Sequence, residues 1–165
     1  MEFSGKQGAI FNTDGKERYV LWRRWSASQG NVLFIGLNPS KADHEFDDPT
    51  TKRIVAHSKR LGFGGCFLMN CFTKIATDPK ALTASGNWQE NLWWLAIVEP
   101  LCTRVVFALG KHGLVKQMGR DAYFQKRFPR AHCMGINLDG SPKHPLYLPY
   151  SSKLIHFNDT QTKSL

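Results

Sequence analysis

The chain contains continuous apolar segments of about six residues, the pattern of strands that are buried on both faces of a sheet. The clearest segment stops abruptly at Asn38 and Pro39. The predicted strands are residues 32–37, 66–72, 104–109 and 132–137. Residues 19–22 form a shorter apolar segment with arginines on both sides, which we interpret as an N-terminal edge strand.

Segments with helical signals separate these strands. Asp48 followed by Pro49 predicts an N-cap and a first-turn proline, and the helix should end near Leu61. Residues 88–99 and 114–127 predict two more helices. Because strands that alternate with helices form parallel βαβ units, we expect an α/β fold with three layers, α/β/α. Its centre should be a mainly parallel four-stranded sheet, to which the N-terminal edge strand would be added.

The length and composition predict a single domain. A chain of 165 residues with 42% apolar positions suffices for one core, so we expect one domain over residues 1–165 with flexible N-terminal residues and a flexible tail after about residue 158. The chain has 22 Lys and Arg residues against 13 Asp and Glu residues, which gives a net charge of +9. This surplus favours a polyanionic partner such as nucleic acid.

The sequence shows no pattern of a membrane span, a secretory signal or an amphipathic basic helix. We therefore expect a cytoplasmic protein that does not contact membranes, and a monomer. The four cysteines form no CxxC pair and have no closely spaced histidine, which favours buried structural thiols over a metal site. We expect neither a metal nor another cofactor.

Polar side chains follow the predicted strands at the end where α/β proteins bind their ligands. Asn38 follows the first buried strand, and Asn70 lies near the end of the next. Lys111 and His112 follow the third strand, and His144 lies in a loop after the fourth. These positions predict a site at the carboxyl edge of the sheet.

Four segments resemble motifs of the uracil-DNA glycosylase superfamily and occur in the family's order. Residues 35–40 resemble the loop that positions the attacking water, and residues 68–73 resemble the strand whose Asn recognises a flipped base. Residues 106–112 resemble the family's strand that ends in Leu or Trp followed by Gly. Residues 144–148 resemble the His-Pro loop, which stabilises the departing base and inserts a Leu into the duplex.

The chain is also similar to an uncharacterised bacterial and phage branch that shares the short motifs LNPS, DDPT, TDP and HPLYL. These motifs lie at residues 37–40, 47–50, 77–79 and 144–148. The resemblance implies the superfamily's fold and a monofunctional DNA glycosylase, a hydrolase that flips a uracil-like or modified, 5-substituted pyrimidine out of DNA and cleaves its N-glycosidic bond. This activity would leave an abasic site, and its role would be DNA repair or defence against modified foreign DNA.

The resemblance assigns the catalytic roles to Asn38 and His144. The amide oxygen of Asn38 would hold the attacking water, and His144 would donate a hydrogen bond to the leaving base. Two simpler interpretations stay open, since Asn38 also suits the turn before Pro39 and a loop His is often only a surface residue. Other members bind this water with an Asp that is absent here. Asp43, Asp47 or Asp48 would substitute for it. The alternative is that Asp48 only caps the helix and that the other two carry solvated charge.

The resemblance also implies a pocket for the base. Its predicted residues are Gly36, Leu37, Pro39, Ser40, Phe46 and Asn70. Asn70 would recognise the base edge, unless the backbone takes up its amide, and Phe46 would stack on the base, although a loop aromatic more often packs on its own domain. Uracil-specific relatives carry Tyr at the position of Ser40, so the smaller side chain predicts space for a substituent at the 5-position.

DNA contacts are expected from basic residues near these motifs and from the His-Pro loop. The predicted DNA-binding residues are Lys41, Lys52, Arg53, Lys111, Lys143, Tyr147 and Leu148. Leu148 matches the intercalating Leu of the family, with Tyr147 beside it. Packing of this Leu-Tyr-Leu stretch against the core is an equal alternative.

Two other functions fit the same sequence. One is a catalytically inactive relative that binds nucleic acid, and the other is a hydrolase of free nucleosides or nucleotides, for which a net charge of +9 has less purpose. Formation of abasic sites separates the glycosylase from the inactive relative. Salt-dependent binding to oligonucleotides separates both from an enzyme of free nucleosides.

Overall fold

The computed structural model describes residues 3–161, which form a seven-stranded mixed sheet with helices on both of its faces. The strands are β1 (Gln7–Phe11), β2 (Arg18–Arg24), β3 (Asn31–Gly36), β4 (Gly65–Asn70), β5 (Cys102–Phe107), β6 (His132–Cys133) and β7 (Ile155–His156). The helices are α1 (Pro49–Arg60), α2 (Trp88–Val98), α3 (Gly113–Gln117), α4 (Arg120–Arg127) and α5 (Phe157–Gln161). Short 3₁₀ helices cover Pro79–Ala81, Glu99–Leu101 and Pro145–Tyr147. The predicted α/β class is confirmed, with more strands than the sequence predicted.

The sheet has the strand order β1-β2-β4-β3-β5-β6-β7. β3 pairs in parallel with β4 on one side and with β5 on the other. β5 pairs in parallel with β6 through a single residue pair, whereas β1, β2 and β7 pair antiparallel with their neighbours. Because β3, β4 and β5 run in the same direction, their carboxyl ends meet at one edge of the sheet, which the paired residues Gly36 and Asn70 mark.

The segment predicted as an edge strand is an internal strand of the sheet. β2 lies between β1 and β4, and β1 is the edge strand. A hairpin joins β1 to β2 near Asp14 and Gly15, and the φ of +72° at Gly15 lies in a region that glycine enters without steric cost. β1 was not predicted because its segment, residues 7–11, is short and includes no long apolar run. As a consequence, arginines expected on an exposed edge lie inside the sheet.

Alternate residues of β3 point to opposite faces of the sheet and contribute to two separate cores. Leu33 and Ile35 pack in the larger core, which α2, α4 and α5 cover. Val32 and Phe34 pack in the smaller core, which α1 covers through Ile54. All of these β3 side chains are fully buried, as expected for a continuous apolar strand between two layers.

The helices agree with the sequence at α1 and differ from it further on. Asp48 is the N-cap of α1, and its carboxylate accepts a hydrogen bond from the Thr51 N–H at 2.8 Å. The single helix predicted over residues 114–127 is instead the pair α3 and α4. Gly119 lies between them with a left-handed φ of +66°, which interrupts the helical backbone. The strand predicted over residues 132–137 is reduced to the two residues of β6.

The cysteines are free thiols, of which Cys66, Cys71 and Cys133 are buried and Cys102 is half-buried. Burial raises the pKa of Cys66 to about 12, so this thiol stays protonated at neutral pH. The prediction of buried thiols is therefore confirmed for three of the four residues.

The C-terminal tail that was expected to be flexible after about residue 158 overlaps with α5, which ends at Gln161. Residues 1–2 and 162–165, at the ends that were expected to be flexible, lie outside the described residues. No helix among residues 3–161 combines the length and the apolar character that a bilayer crossing requires.

Candidate functional site

A cavity of about 440 Å³ lies at the carboxyl edge of β3 and β4. Its wall also includes the β3–α1 loop, the first turn of α1 and the His-Pro loop, which we define as residues 142–148. The polar and charged side chains on the wall belong to Arg18, Asn38, Ser40, Asp48, Thr50, Asn70, Thr77 and His144. The predicted residues Gly36, Leu37 and Tyr147 line the same cavity. The structure thus brings most of the predicted catalytic and base-binding residues together.

Asn38 is held with its NH₂ group against the backbone. Its Nδ2 donates hydrogen bonds to the carbonyl oxygens of Pro39, at 3.0 Å, and of Ala76, at 2.8 Å. Only the NH₂ group can face two carbonyl oxygens, so the orientation of the amide follows from its chemistry. Oδ1 has no hydrogen-bond partner among residues 3–161 and is the acceptor that Asn38 offers to the cavity.

Asn70 places a buried donor on the cavity wall. The residue is 3% exposed, and its Nδ2 has no hydrogen-bond partner within the described part of the chain. Gly36 pairs with Asn70 in the sheet, and a Cβ at Gly36 would lie 2.7 Å from Asn70 Oδ1. Glycine is therefore required for the Asn70 side chain to lie beside β3. A buried donor without a partner costs free energy that a bound acceptor would recover.

Backbone hydrogen bonds hold the His-Pro loop beside the end of β5. The Gly110 N–H donates to the Pro142 carbonyl, and the Lys143 N–H donates to the Gly135 carbonyl, both at 2.9 Å. A Cβ at Gly110 would lie 3.4 Å from the Cβ of His144, and the φ of +70° at Gly110 also favours glycine. These contacts bring His144 to the same cavity as the β3–α1 loop.

His144 offers a neutral imidazole with its proton on Nε2. Its Nδ1 accepts a hydrogen bond from the Leu146 N–H at 3.2 Å, so the proton of the neutral ring lies on Nε2. Burial lowers the pKa of His144, and the charge of Asp48 opposes this effect without cancelling it. Nε2 has no hydrogen-bond partner among residues 3–161 and is a donor on the cavity wall.

Arg18 lines the cavity, although the sequence analysis did not assign it to a site. It is 1% exposed, its Nη1 donates to the Ala42 carbonyl at 2.8 Å, and its Nε has no partner within the described residues. Burial lowers the pKa of Arg18 to about 10 against the opposing effect of Asp48, so the guanidinium is charged at neutral pH. The sequence signal for this site residue was an arginine at the start of a predicted strand. Because that strand was predicted at the edge of the sheet, its arginine was expected to be exposed to solvent.

Asp48 is the one carboxylate among the described residues that lines the cavity. Its Oδ1 accepts the N-cap hydrogen bond from Thr51, and its Oδ2 accepts one from the Ala42 N–H at 3.3 Å. Asp48 therefore caps α1, as the sequence predicted, and also lines the cavity. Asp48 thus contributes negative charge to the cavity while both of its oxygens stabilise the β3–α1 loop.

The other predicted carboxylates serve the structure of the loop. Arg23 Nε pairs with Asp47 Oδ1 at 2.8 Å, and Arg23 Nη2 donates to the Asp43 carbonyl at 2.6 Å. Asp43 Oδ1 accepts a hydrogen bond from the Phe46 N–H at 2.8 Å. Neither carboxylate lines the cavity, so the prediction that either would bind the attacking water is wrong.

Several predicted ligand-binding residues lie outside the cavity. Pro39 is buried behind its wall, and the side chain of Phe46 is exposed to solvent away from it, so neither contacts a molecule bound there. Leu148 is 6% exposed and packs in the core that α1 covers, so its predicted role as an intercalating wedge is wrong. Tyr147 on the cavity wall is 87% exposed, which makes it the aromatic side chain of this loop that is open to a ligand.

The predicted DNA-binding lysines are exposed, whereas Arg53 is used inside the protein. The exposed lysines outside the cavity are Lys41, Lys52, Lys111 and Lys143. Arg53 donates a hydrogen bond from Nη2 to the Leu148 carbonyl, and its guanidinium lies 3.9 Å from the ring centroid of Tyr150. Arg53 therefore holds the end of the His-Pro loop against α1, and its contact with DNA stays a prediction.

The cavity wall carries both N–H donors and oxygen acceptors. Within residues 3–161, Arg18 Nε, Asn70 Nδ2 and His144 Nε2 are donors without a partner. The acceptors are Asn38 Oδ1, the Asp48 carboxylate and the hydroxyls of Ser40, Thr50 and Thr77. Such a set suits a polar ligand that carries both acceptors and donors. No group of three or more His, Cys, Asp or Glu side chains within residues 3–161 is arranged to hold a metal ion.

The fold and the cavity define an α/β protein with a polar pocket at the carboxyl edge of its parallel strands. Residues 18–146 match the model of a family described as "Protein of unknown function (DUF1643)". Because the match covers more than three quarters of the chain, the chain belongs to this family. Comparisons with curated proteins and with solved structures gave no match.

We predict that Arg53→Ala loosens the His-Pro loop. Loss of a hydrogen bond from a charged donor and of the contact with Tyr150 should lower the free energy of unfolding by about 1.5–3 kcal/mol. Hydrogen exchange of residues 144–150 should become faster. The matched control is Lys52→Ala on the exposed side of α1, which should change stability by less than about 0.5 kcal/mol. Equal effects of both substitutions in urea denaturation would contradict the assignment.

We predict that His144 titrates below its usual value of 6.5, because burial disfavours its charged form. A folded-state pKa below the unfolded value adds stability above about pH 6.5 that is lost as the pH falls towards the folded-state pKa. The free energy of unfolding should therefore fall less between pH 7.5 and pH 5 in His144→Gln than in the wild type. NMR titration of the ring protons checks the direction, and a midpoint at or above 6.5 would disprove it.

Proposed function

We propose that the protein is a monofunctional DNA glycosylase of the uracil-DNA glycosylase type, which hydrolyses the N-glycosidic bond of a flipped pyrimidine. The observation that carries the proposal is the shared cavity, on whose wall Asn38 offers an acceptor and His144 offers a donor. These residues lie about a hundred positions apart in the chain. They are also the residues to which the sequence resemblance assigns the chemistry.

The size of the cavity supports binding of a nucleobase. The cavity volume of 440 Å³ lies within the range of about 300–1,000 Å³ that is typical of pockets for small organic ligands, so it is large enough for a pyrimidine base. A base with an additional substituent therefore fits as well. A base in duplex DNA has to leave the stack to enter such a hollow, which is the behaviour of base-flipping enzymes.

In this proposal Asn38 positions the attacking water. Oδ1 accepts a hydrogen bond from the water, but an amide does not take up its proton, so attack follows the weakening of the C1′–N1 bond. The water oxygen bonds to C1′, the electron pair of the C1′–N1 bond moves to the base, and the water proton passes to solvent. Asp48 on the cavity wall stabilises the positive charge that develops on the sugar.

His144 stabilises the leaving base. Its Nε2–H donates a hydrogen bond to a base oxygen as negative charge develops there, and the bond strengthens in the transition state. The low pKa of the ring keeps it neutral at pH 7, so it acts as a donor without carrying a full charge. The departing base anion then takes a proton from solvent, which leaves free base and an abasic site.

Asn70 and Gly36 supply recognition of the base. In this proposal Asn70 Nδ2, which has no hydrogen-bond partner within residues 3–161, donates to a carbonyl on the edge of the base. Since the amide is buried and lies against Gly36, its position is fixed before the base enters. A fixed donor of this kind favours a base with an oxygen at that edge.

The surface around the cavity supports contact with DNA. Tyr147 is exposed on the rim, where it takes the wedge position that the sequence had assigned to Leu148. Lys41 and Lys143 are exposed in the two loops that form the cavity, where they neutralise phosphates on either side of the flipped nucleotide.

We predict that the protein produces alkali-labile abasic sites in oligonucleotides or phage DNA that contain the correct pyrimidine. Asn38→Ala removes the group that holds water, and His144→Ala removes the donor to the leaving base. Each substitution should lower the single-turnover rate by about 10²–10³-fold. Cleavage of the abasic product by alkali and gel electrophoresis measures the rate.

The controls for this assay are an amide and an imidazole outside the cavity. Asn158→Ala changes an exposed residue in α5, and His156→Ala changes an exposed residue in the edge strand β7. Both variants should retain the wild-type rate. Abasic sites that form equally in the cavity variants would refute the assigned residues. Salt-sensitive DNA binding without any abasic product from a panel of pyrimidines would favour the inactive relative instead.

We predict that Ser40→Tyr restricts the substrate. Ser40 lines the cavity, and a tyrosine ring there would occupy the space beside the 5-position of the base. The ratio of the rates for a 5-substituted pyrimidine and for uracil should fall by about tenfold or more. Ser40→Ala keeps the space and should leave this ratio unchanged. Identical ratios for Ser40→Tyr and the wild type would reject the steric explanation.

A further inference from the structure

Arg18 is a buried cation without a carboxylate beside it in the described part of the chain. The residue is 1% exposed, and it forms no ion pair within 4 Å with any carboxylate among residues 3–161. Asp48 acts on it only at longer range. A buried charge without a partner is costly, and a ligand that supplied the opposite charge would recover part of that cost.

Other buried arginines in this protein show how structural arginines are satisfied. Arg23 pairs with Asp47 and donates to several carbonyls. Arg120 lies 3.5 Å from the ring centroid of Trp88 and outside the carboxyl-edge cavity. Arg18 differs from both, since it lines the cavity at the carboxyl edge and its Nε has no partner within residues 3–161.

We propose that Arg18 is the anion-binding residue of this cavity and that its ligand is a negatively charged oxygen of the substrate. The inference relies on the proposed function only for the identity of that oxygen. In a glycosylase it belongs to the pyrimidine, either as an acidic substituent or as the exocyclic carbonyl oxygen that becomes negative when the C1′–N1 bond breaks. In an enzyme of free nucleotides it belongs to the phosphate.

The burial of Arg18 excludes a third source. A phosphate in the DNA backbone stays at the protein surface, where exposed lysines contact it. Arg18 is almost completely covered, and its Nη1 is bonded to the carbonyl of the buried Ala42. Only a group that enters the cavity reaches the guanidinium. The two remaining sources are therefore the base itself and a phosphate small enough to enter.

Binding measurements with small ligands test this inference without DNA. Calorimetry compares 5-carboxyuracil with 5-carboxamidouracil, which have nearly the same shape and differ in charge, and compares dUMP with deoxyuridine. The wild type should bind the anionic member of at least one pair about tenfold or more tightly, because a hydrogen bond between charged groups is worth at least that factor. Inorganic phosphate serves as the probe for a bare phosphate site.

Variants assign the preference to Arg18. Arg18→Met should remove the preference for the anion, and Arg18→Lys should keep part of it, since Lys retains the charge without the planar fork. Arg120→Met removes a buried arginine outside the cavity and should keep the full preference. Circular dichroism and urea denaturation show whether each variant folds. If Arg18→Met does not fold, a preference that is weaker in Arg18→Lys than in the wild type and in Arg120→Met assigns the anion to Arg18, and an unchanged preference in Arg18→Lys contradicts that assignment.

The outcomes separate this inference from the glycosylase proposal. A preference for 5-carboxyuracil supports a base oxygen, and a preference for dUMP alone supports the phosphate of a free nucleotide and counts against the glycosylase. Equal binding within both pairs, or no binding of either anion, overturns the role of Arg18. An Arg18-dependent preference together with no abasic product keeps the inference and refutes the proposed activity.

Discussion

The parallel register between β3 and β4 is the constraint on which the candidate site depends. It pairs Gly36 with Asn70, and the missing side chain at Gly36 leaves the space in which the Asn70 amide lies. The chain after Gly36 then carries Asn38 away from the sheet at the point where Asn70 ends the neighbouring strand. A shift of one residue in this pairing would turn Asn70 to the other face of the sheet, and the cavity would lose its buried donor.

The groups around the cavity are positioned before any ligand binds. The NH₂ group of Asn38 is bonded to two carbonyls, and Nδ1 of His144 is bonded to a backbone N–H. In each of these two side chains, the hydrogen-bonded nitrogen fixes the orientation. The second polar atom has no partner among residues 3–161. Arg18 and Arg23 of β2 also donate hydrogen bonds to backbone carbonyls of the β3–α1 loop and so hold this loop in place. Fixed dipoles and charges of this kind stabilise developing charge without the cost of reorganisation.

Much of the fold was predictable because long apolar runs and helix caps are local signals, as in β3 and at Asp48. The sequence predicted Asn38, Asn70 and His144 as site residues through their places after strands and in motifs, and the structure brings them to one cavity. Arg18 was missed because its burial depends on β1, a short strand with no long apolar run, and on pairing with a distant strand. Leu148 illustrates the same limit, since its burial depends on tertiary contacts with α1.

The cavity wall draws on residues from Arg18 near the start of the chain to Tyr147 near its end. A fragment must span residues 18–147 to contain the whole wall, and most of the close residue pairs in the protein join distant parts of the sequence. During synthesis on the ribosome, the pocket can therefore form only after the His-Pro loop has emerged from the exit tunnel. A nascent chain that lacks this loop has an incomplete pocket wall, so any activity that resides there begins only after the loop has joined the rest of the wall.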